Sequence, residues 1–267
     1  MIKDINIGQY IPGDSFVHKL DSRIKIILTM LYIIDIFIID KYFGYIFVLL
    51  FLVAVIFASK INIKYVFKGI RPMLPLILIM FLMNIFLYPG QKLIFSFGIL
   101  KVYVEGVNIA LFMVIRLILL IVGMSMLTYT TSPIELTDGL ETLLSPLKKL
   151  KFPAHELAMM MTIALRFIPT LIEETDKIMK AQMARGADFE SGNLYNRAKN
   201  LIPILVPLFI SSFRRADELA LAMEARCYRG GEGRTKMKVS KIMNRDYASV
   251  TIVIVLMIVT ILSRFYL

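Results

Sequence analysis

Apolar residues fall first into long runs separated by short charged turns, and then, for more than a hundred residues, into an alternation with acids and bases at helical spacing. Residues 24–40 form a first run, broken only by Lys25 near its start and Asp35 near its end; residues 43–58 form a second with no charge at all. Runs of this kind suit helices that cross a bilayer, whose core takes about 20 apolar residues. Asp40-Lys41 leaves only a tight turn between the two. A third run, about 73–88, opens on Pro72 and Pro75, where the first turn of a helix has no partner for an N–H anyway. A fourth, about 105–130, contains Arg116, and a last one covers about 248–263. The pattern predicts an all-α membrane protein with five transmembrane helices.

Between Tyr129 and Tyr247 the pattern changes. Thr131-Ser132-Pro133-Ile134-Glu135 starts a helix with a hydroxyl as N-cap, a proline in the first turn and an acid against the positive end of the helix dipole. That helix is expected to stop near Ser145-Pro146. From His155 to Met183, apolar residues including Leu157, Met161, Leu165, Ile168, Ile172 and Met179 mark a stripe at three- and four-residue spacing, with a kink expected at Pro169. A second long amphipathic helix is predicted from about Pro203 or Pro207 to Arg226, after a loop around Ser191-Gly192-Asn193. The chain thus divides into a lead-in (1–23), four transmembrane helices (24–130), a limb outside the bilayer (131–247) and a last transmembrane helix (248–267).

Composition agrees: 58% of the 267 residues are apolar, and a mean hydropathy of +0.72 marks an integral membrane protein with lipid as its solvent. The net charge of +11 reads as the bias of Lys and Arg toward cytoplasmic loops rather than as a nucleic-acid surface. Lys60, Lys64, Lys68 and Arg71 share a loop without one acid, which places that loop, the N-terminus and the limb in the cytoplasm of a multi-pass protein of the cell membrane. Residues 1–23 have no apolar core, so they are not read as a cleaved signal. One cysteine and two histidines allow neither an internal disulfide nor a Cys/His metal cluster. His18 reads as a turn or headgroup-level residue.

Two short strings stand out, Met183-Ala184-Arg185-Gly186-Ala187-Asp188 and Glu224-Ala225-Arg226-Cys227-Tyr228-Arg229, each closing a long helical pattern. A base near a helix C-terminus complements the dipole, and Gly186 suits a left-handed C-cap. The alternative is docking: a guanidinium fork can satisfy carboxylates or carbonyls in a partner's groove, with small neighbours allowing close approach. The residues leave both readings open. Arg116 and Asp35 suggest a buried pair within the membrane, or, with Asn84, a polar path of a stand-alone secondary transporter or channel. Gly230-Gly231-Glu232-Gly233-Arg234-Thr235 fails as a phosphate loop, because Arg234 replaces the lysine and Tyr228 stands where the first glycine belongs. Glu173 and Glu174 read as solvated acids on a helix face, and Cys227 has no base beside it. No constellation of catalytic residues is present, so the chain is not expected to be an enzyme.

Gly8-Gln9-Tyr10-Ile11-Pro12-Gly13-Asp14-Ser15, then His18-x-Leu-Asp21-x-Arg23-x-Lys25, then Thr131-Ser132-Pro133-x-Glu135-Leu136 and the two Ala-Arg strings resemble the transmembrane coupling subunit, or T component, of energy-coupling factor transporters. The likeness runs from about residue 8 to 236, with Ser22 standing where the family usually shows proline and Cys227 where it shows glycine. The resemblance implies two long crossing coupling helices, which makes 131–247 a cytoplasmic coupling domain. Each would end in a tip, Ala184-Arg185-Gly186 and Ala225-Arg226-Cys227, seated in one of two ABC-type ATPase subunits, with Asp188, Tyr228 and Arg229 in support. It also implies a small, separate membrane subunit that captures a vitamin or trace metal. ATP and Mg would bind the ATPases, leaving this chain without a cofactor.

Overall fold

A computed structural model describes residues 10–97, 100–150, 152–187, 189, 194–230 and 242–266. Asp188, the loop around 191–193 and most of the glycine-rich string after Gly230 lie outside the described residues. The chain divides into two compact units, one of Gly8–Leu140 with Val239–Leu267 and the other Glu141–Lys238.

In the first unit, α1 (Ser22–Ile38), α2 (Tyr42–Ser59) and α3 (Ile63–Ile70) are followed by a 3-10 turn, Arg71–Met73, that leads into α4 (Leu74–Leu87). Then come β1 (Leu93–Phe97), β2 (Leu100–Tyr103) and α5 (Val104–Thr130), and α9 (Asn244–Tyr266) closes the chain. The connection from 88 to 104, read from sequence as a plain loop, holds an antiparallel hairpin with Leu93 opposite Tyr103 and Phe97 opposite Leu100. Buried Tyr32, Ile36, Val48, Leu52, Leu119, Val122 and Met126 form the core between α1, α2 and α5. Gly123 is required there, since a Cβ would overlap the Tyr32 ring, whose hydroxyl donates to the Leu119 carbonyl (2.9 Å).

Tyr42–Ser59, Ile63–Leu87, Val104–Thr130, Ala154–Ala184 and Asn244–Arg264 are long and apolar enough to cross a membrane. Among the described residues the number is the expected one, but the membership differs. The first predicted span became α1, whose 17 residues reach ~26 Å; it packs against α5 and α9. Ala154–Ala184, read from sequence as part of the limb, qualifies at mean hydropathy 1.3, because Glu156 and Arg166 are its only acid and base before Glu173.

The lead-in is ordered by side chains the sequence placed together. His18 Nε2 donates to the Ile11 carbonyl (2.9 Å), its Nδ1 meets the Ser15 hydroxyl at 2.6 Å, and Gly13 leaves room for the ring. The amide of Ile11 donates to the carbonyl of Tyr129 (3.0 Å), near the end of α5. Asp21 caps α1 by accepting from the Arg23 amide (2.9 Å) and takes the Arg23 guanidinium on both oxygens (3.0 and 2.8 Å). The Asp21 amide donates in turn to Asp246 at the start of α9 (2.9 Å). Lys25 is buried and donates to the carbonyls of His18 (3.1 Å) and Thr130 (2.8 Å). The Asp21-x-Arg23-x-Lys25 string therefore ties the lead-in, α5 and α9 to the start of α1.

α6 (Pro133–Leu144) begins where expected, with the Ser132 hydroxyl accepting from the Glu135 amide (3.2 Å), and ends at a 3-10 turn, Ser145–Leu150. The division between the units falls inside it. In the second unit, α7 (Ala154–Ala184) contains Pro169, and α8 (Leu194–Ala225) contains both Pro203 and Pro207. The expected start of α8 at a proline is thus corrected by about nine residues. Its early turns continue through the prolines, each of which removes one N–H and frees the carbonyl four residues before it. The carbonyl so freed by Pro207 is that of Pro203, and it accepts from Gln182 Nε2 of α7 at 3.5 Å.

Candidate docking site

α7 and α8 each end the same way. At the end of α7, Gly186 N donates to the Met183 carbonyl (2.9 Å) and Ala187 N to the Gln182 carbonyl (3.0 Å), with Gly186 at φ +90°. At the end of α8, Cys227 N donates to the Glu224 carbonyl (2.8 Å) and Tyr228 N to the Met223 carbonyl (3.0 Å), with Cys227 at φ 56°. Both are Schellman caps, in which two carbonyls left over at the helix end are closed by a residue in the left-handed conformation. Arg185 and Arg226 occupy the same position in both, the last before the left-handed residue, and both are exposed. Ala184, Gly186, Ala225, Cys227 and Arg229 are exposed as well, while Tyr228 is half-buried.

The substitution of Cys227 for glycine, a departure in sequence, is no departure in backbone: the cysteine takes the conformation that glycine takes in the other string. The strain this implies for a side-chain-bearing residue is of the order of 1 kcal/mol. The dipole-complementing role of the arginines holds at both tips too, since each stands at the negative end of a helix of 31 or 32 residues. That role leaves the guanidinium groups exposed and available.

The two helices run in opposite directions where they touch. Glu174 of α7 pairs with Arg215 of α8 (3.1 Å), and Arg215 also lies over the Phe167 ring, 5.8 Å from its centre. Glu174, read from sequence as a solvated acid, is instead three-quarters covered: its side chain is 24% exposed and that of Arg215 31%. Burying an apolar face between the helices brings this pair into the seam. The pair stands eleven residues before Arg185 on α7 and eleven before Arg226 on α8, about 16 Å along each axis. The tips therefore lie at opposite ends of the helix pair.

The candidate polar path does not assemble. Asp35 accepts from the Thr260 hydroxyl of α9, Asn84 donates to the Met80 carbonyl of its own helix (2.9 Å), and Arg116 donates to the Tyr45 hydroxyl (2.9 Å) and the Ile39 carbonyl (2.8 Å). Arg116 also faces the rings of Phe37 and Phe112, at 5.7 and 5.0 Å. The buried pair expected between Arg116 and Asp35 is not formed: aromatic faces and a carbonyl at the end of α1 satisfy the guanidinium instead. Sequence reading missed Asp246 and Gln182. A carboxylate just before an apolar run signals a helix start, but nothing in the sequence says that it caps a second helix as well.

Residues 13–237 match the family described as CbiQ, cobalt transport protein. Among similar proteins, the energy-coupling factor transporter transmembrane protein EcfT of Clostridium kluyveri is 60% identical over 267 residues, covering 100% of this chain and 99% of its own. The protein of the same description from Bacillus subtilis is 48% identical over 256 residues, 96% of this chain and 97% of its own. That of Lactococcus lactis is 44% identical over 261 residues, 98% of each. A match that takes in both arginine tips and likeness over nearly the whole length place the chain in one family: it belongs to the CbiQ family, as a transmembrane component of energy-coupling factor transporters.

Proposed function

We propose that this chain carries motion from two ABC-type ATPase subunits, docked on the Arg185 and Arg226 tips, to a small membrane subunit that captures the solute, a vitamin or a trace metal. The observation that carries this reading is the repeated cap, which presents an exposed arginine in one backbone geometry at each end of a braced helix pair. A dipole role alone calls for a base in the last turn, but not for two matching backbones. Docking on two related grooves calls for both.

The lead-in and the tips face the cytoplasm in this reading, where ATP and Mg are held by the ATPases. When ATP draws the two ATPases together, the tips move with them and the α7–α8 pair shifts as a lever. α8 has 32 residues, ~48 Å of helix. Ile202, Val206, Phe209 and Phe213 of α8 recur at helical spacing and are 51–69% exposed, which suits an apolar seat for the capture subunit. The chain itself performs no reaction.

The test is a tagged purification from native membrane in mild detergent, with ATPase assay of what co-purifies. Two related nucleotide-binding subunits and a small membrane protein should accompany the chain, and both ATPases should be lost from Arg185→Glu/Arg226→Glu while membrane insertion persists. A chain that purifies alone and transports solute in liposomes without ATP sinks the proposal.

A further inference from the structure

Among the membrane helices of the first unit lies a cavity of about 230 Å³ that the coupling role does not use. Leu28 of α1, Val55 of α2, Met126 of α5 and Val253 of α9 line it, and Phe16 of the lead-in closes one end. Ala54 and Ala58 also line it and are exposed, so the cavity opens on the surface of the bundle. Its wall is hydrocarbon except for Lys25 and the hydroxyl-bearing Thr29, Tyr32, Thr130 and Ser249.

Lys25 is the unusual member. Its side chain is buried, and its ammonium gives two of three protons to the carbonyls of His18 and Thr130, with no carboxylate in ion-pair contact among the described residues. One turn before Ser249, Arg245 has a buried Nε without a hydrogen-bond partner. Three acids stand near the ammonium without reaching ion-pair contact: Glu135, Asp21, which holds Arg23, and Asp246, which accepts from the amides of Asp21 and Met243. An apolar slot open to the bilayer, with cationic donors left over at one end, complements an anionic amphiphile. Size decides among occupants. A helix, about 10 Å across, does not enter, whereas part of a single extended acyl chain does.

We propose that this cavity holds one acyl chain of an anionic phospholipid, with its phosphate on Lys25, which fastens the lead-in to α1 and α9. The proposal stands apart from the docking of ATPases. It is tested with the full chain in phosphatidylcholine nanodiscs doped with a phosphatidylglycerol carrying a diazirine on its acyl chain, and separately with a phosphatidylcholine so labelled. Cross-links mapped by peptide mass spectrometry should concentrate on Thr29, Val55 and Val253. They should favour phosphatidylglycerol by about fivefold, the worth of one interfacial lysine to an anionic lipid. Lys25→Met should equalise the two headgroups. Val253→Phe, which fills the slot and leaves the lysine intact, should remove the cross-links to Thr29 but keep those to the exposed Leu78 of α4. Equal yields from the two lipids in the unmodified chain, or Thr29 labelling that survives Val253→Phe, overturn the proposal; should Lys25→Met not fold, these two measurements still decide.

Discussion

Replacing Gly186 by valine tests whether the cap holds the Arg185 tip in place. Gly186 sits at φ +90° with nothing within 4 Å of where a Cβ would stand, so the substitution meets no neighbour and its whole cost is backbone conformation. A non-glycine residue in the left-handed region costs about 1–2 kcal/mol, with β-branched side chains at the upper end. Two hydrogen bonds, from Gly186 to Met183 and from Ala187 to Gln182, depend on that conformation. A penalty of about 2 kcal/mol lowers the ratio of closed to open cap by roughly thirtyfold. The amides of residues 186 and 187 should exchange with deuterium faster by about that factor in Gly186→Val. Gly186→Asn, which tolerates the left-handed region, should show less than half the free-energy cost. Exchange at Cys227 and Tyr228 at the other tip should not change. If Gly186→Val leaves both amides as protected as before, the cap does not depend on φ and the reasoning fails.

Cys227→Gly is expected to stabilise the second cap by about 0.5 kcal/mol, the removed strain exceeding the entropy that glycine adds to the open chain; slower amide exchange at Tyr228 reports it. The exposed Cys227 thiol should react readily with a maleimide in the isolated chain and at least about tenfold more slowly with the ATPases bound, if burial at an interface controls access; equal rates in the two states speak against docking there. Gly123→Ala should lower the thermal midpoint by the equivalent of about 1–3 kcal/mol through displacement of the Tyr32 ring and loss of its bond to Leu119, read by thermal shift in detergent. A double-mutant cycle on Glu174→Gln and Arg215→Gln should give a coupling of only about 0.5–1 kcal/mol because both side chains are partly exposed; a value near zero would mean that Phe167, rather than the carboxylate, fixes Arg215.

What was legible in the sequence followed from periodicity and from local chemistry. Long apolar runs, broken in α5 by Arg116, located α2, α4, α5 and α9 to within a few residues, and the Ser-Pro-x-Glu signal located α6 at its first turn. What failed required knowledge of neighbours. Proline marked the start of α8 because an isolated helix loses too much there; in the folded unit Gln182 meets one of the freed carbonyls, and the helix runs on toward its N-terminus. Arg116 was assigned to Asp35 by charge, whereas the fold offers it Tyr45, two rings and a helix-end carbonyl, and gives Asp35 the Thr260 hydroxyl. Of the arginine tips, sequence supplied the positions and the likeness of the two strings. It could not supply the equality of their backbones, because a cysteine in the left-handed region has no sequence signature.

The prolines of α8 also bear on how a helix pair can serve as a lever. A single helix containing Pro203 and Pro207 lacks two backbone hydrogen bonds within one turn and is soft between about residues 199 and 207. Motion applied at Arg226 would bend such a helix rather than swing it. Bracing changes this. The Glu174–Arg215 pair and the Phe167 ring hold α8 to α7 on the tip side of the prolines, and Gln182 holds Pro203 itself. Between Arg215 and Arg226 no proline intervenes, so the stretch that bears the second tip is stiff and anchored at its base. The stretch that can bend carries the exposed apolar residues Ile202, Leu205 and Val206, with Phe209 just beyond it. Stiffness is thus placed next to the arginine, and compliance next to the apolar surface, which is the arrangement a coupling element needs if one end must follow a partner faithfully while the other adapts its packing as the helix pair moves.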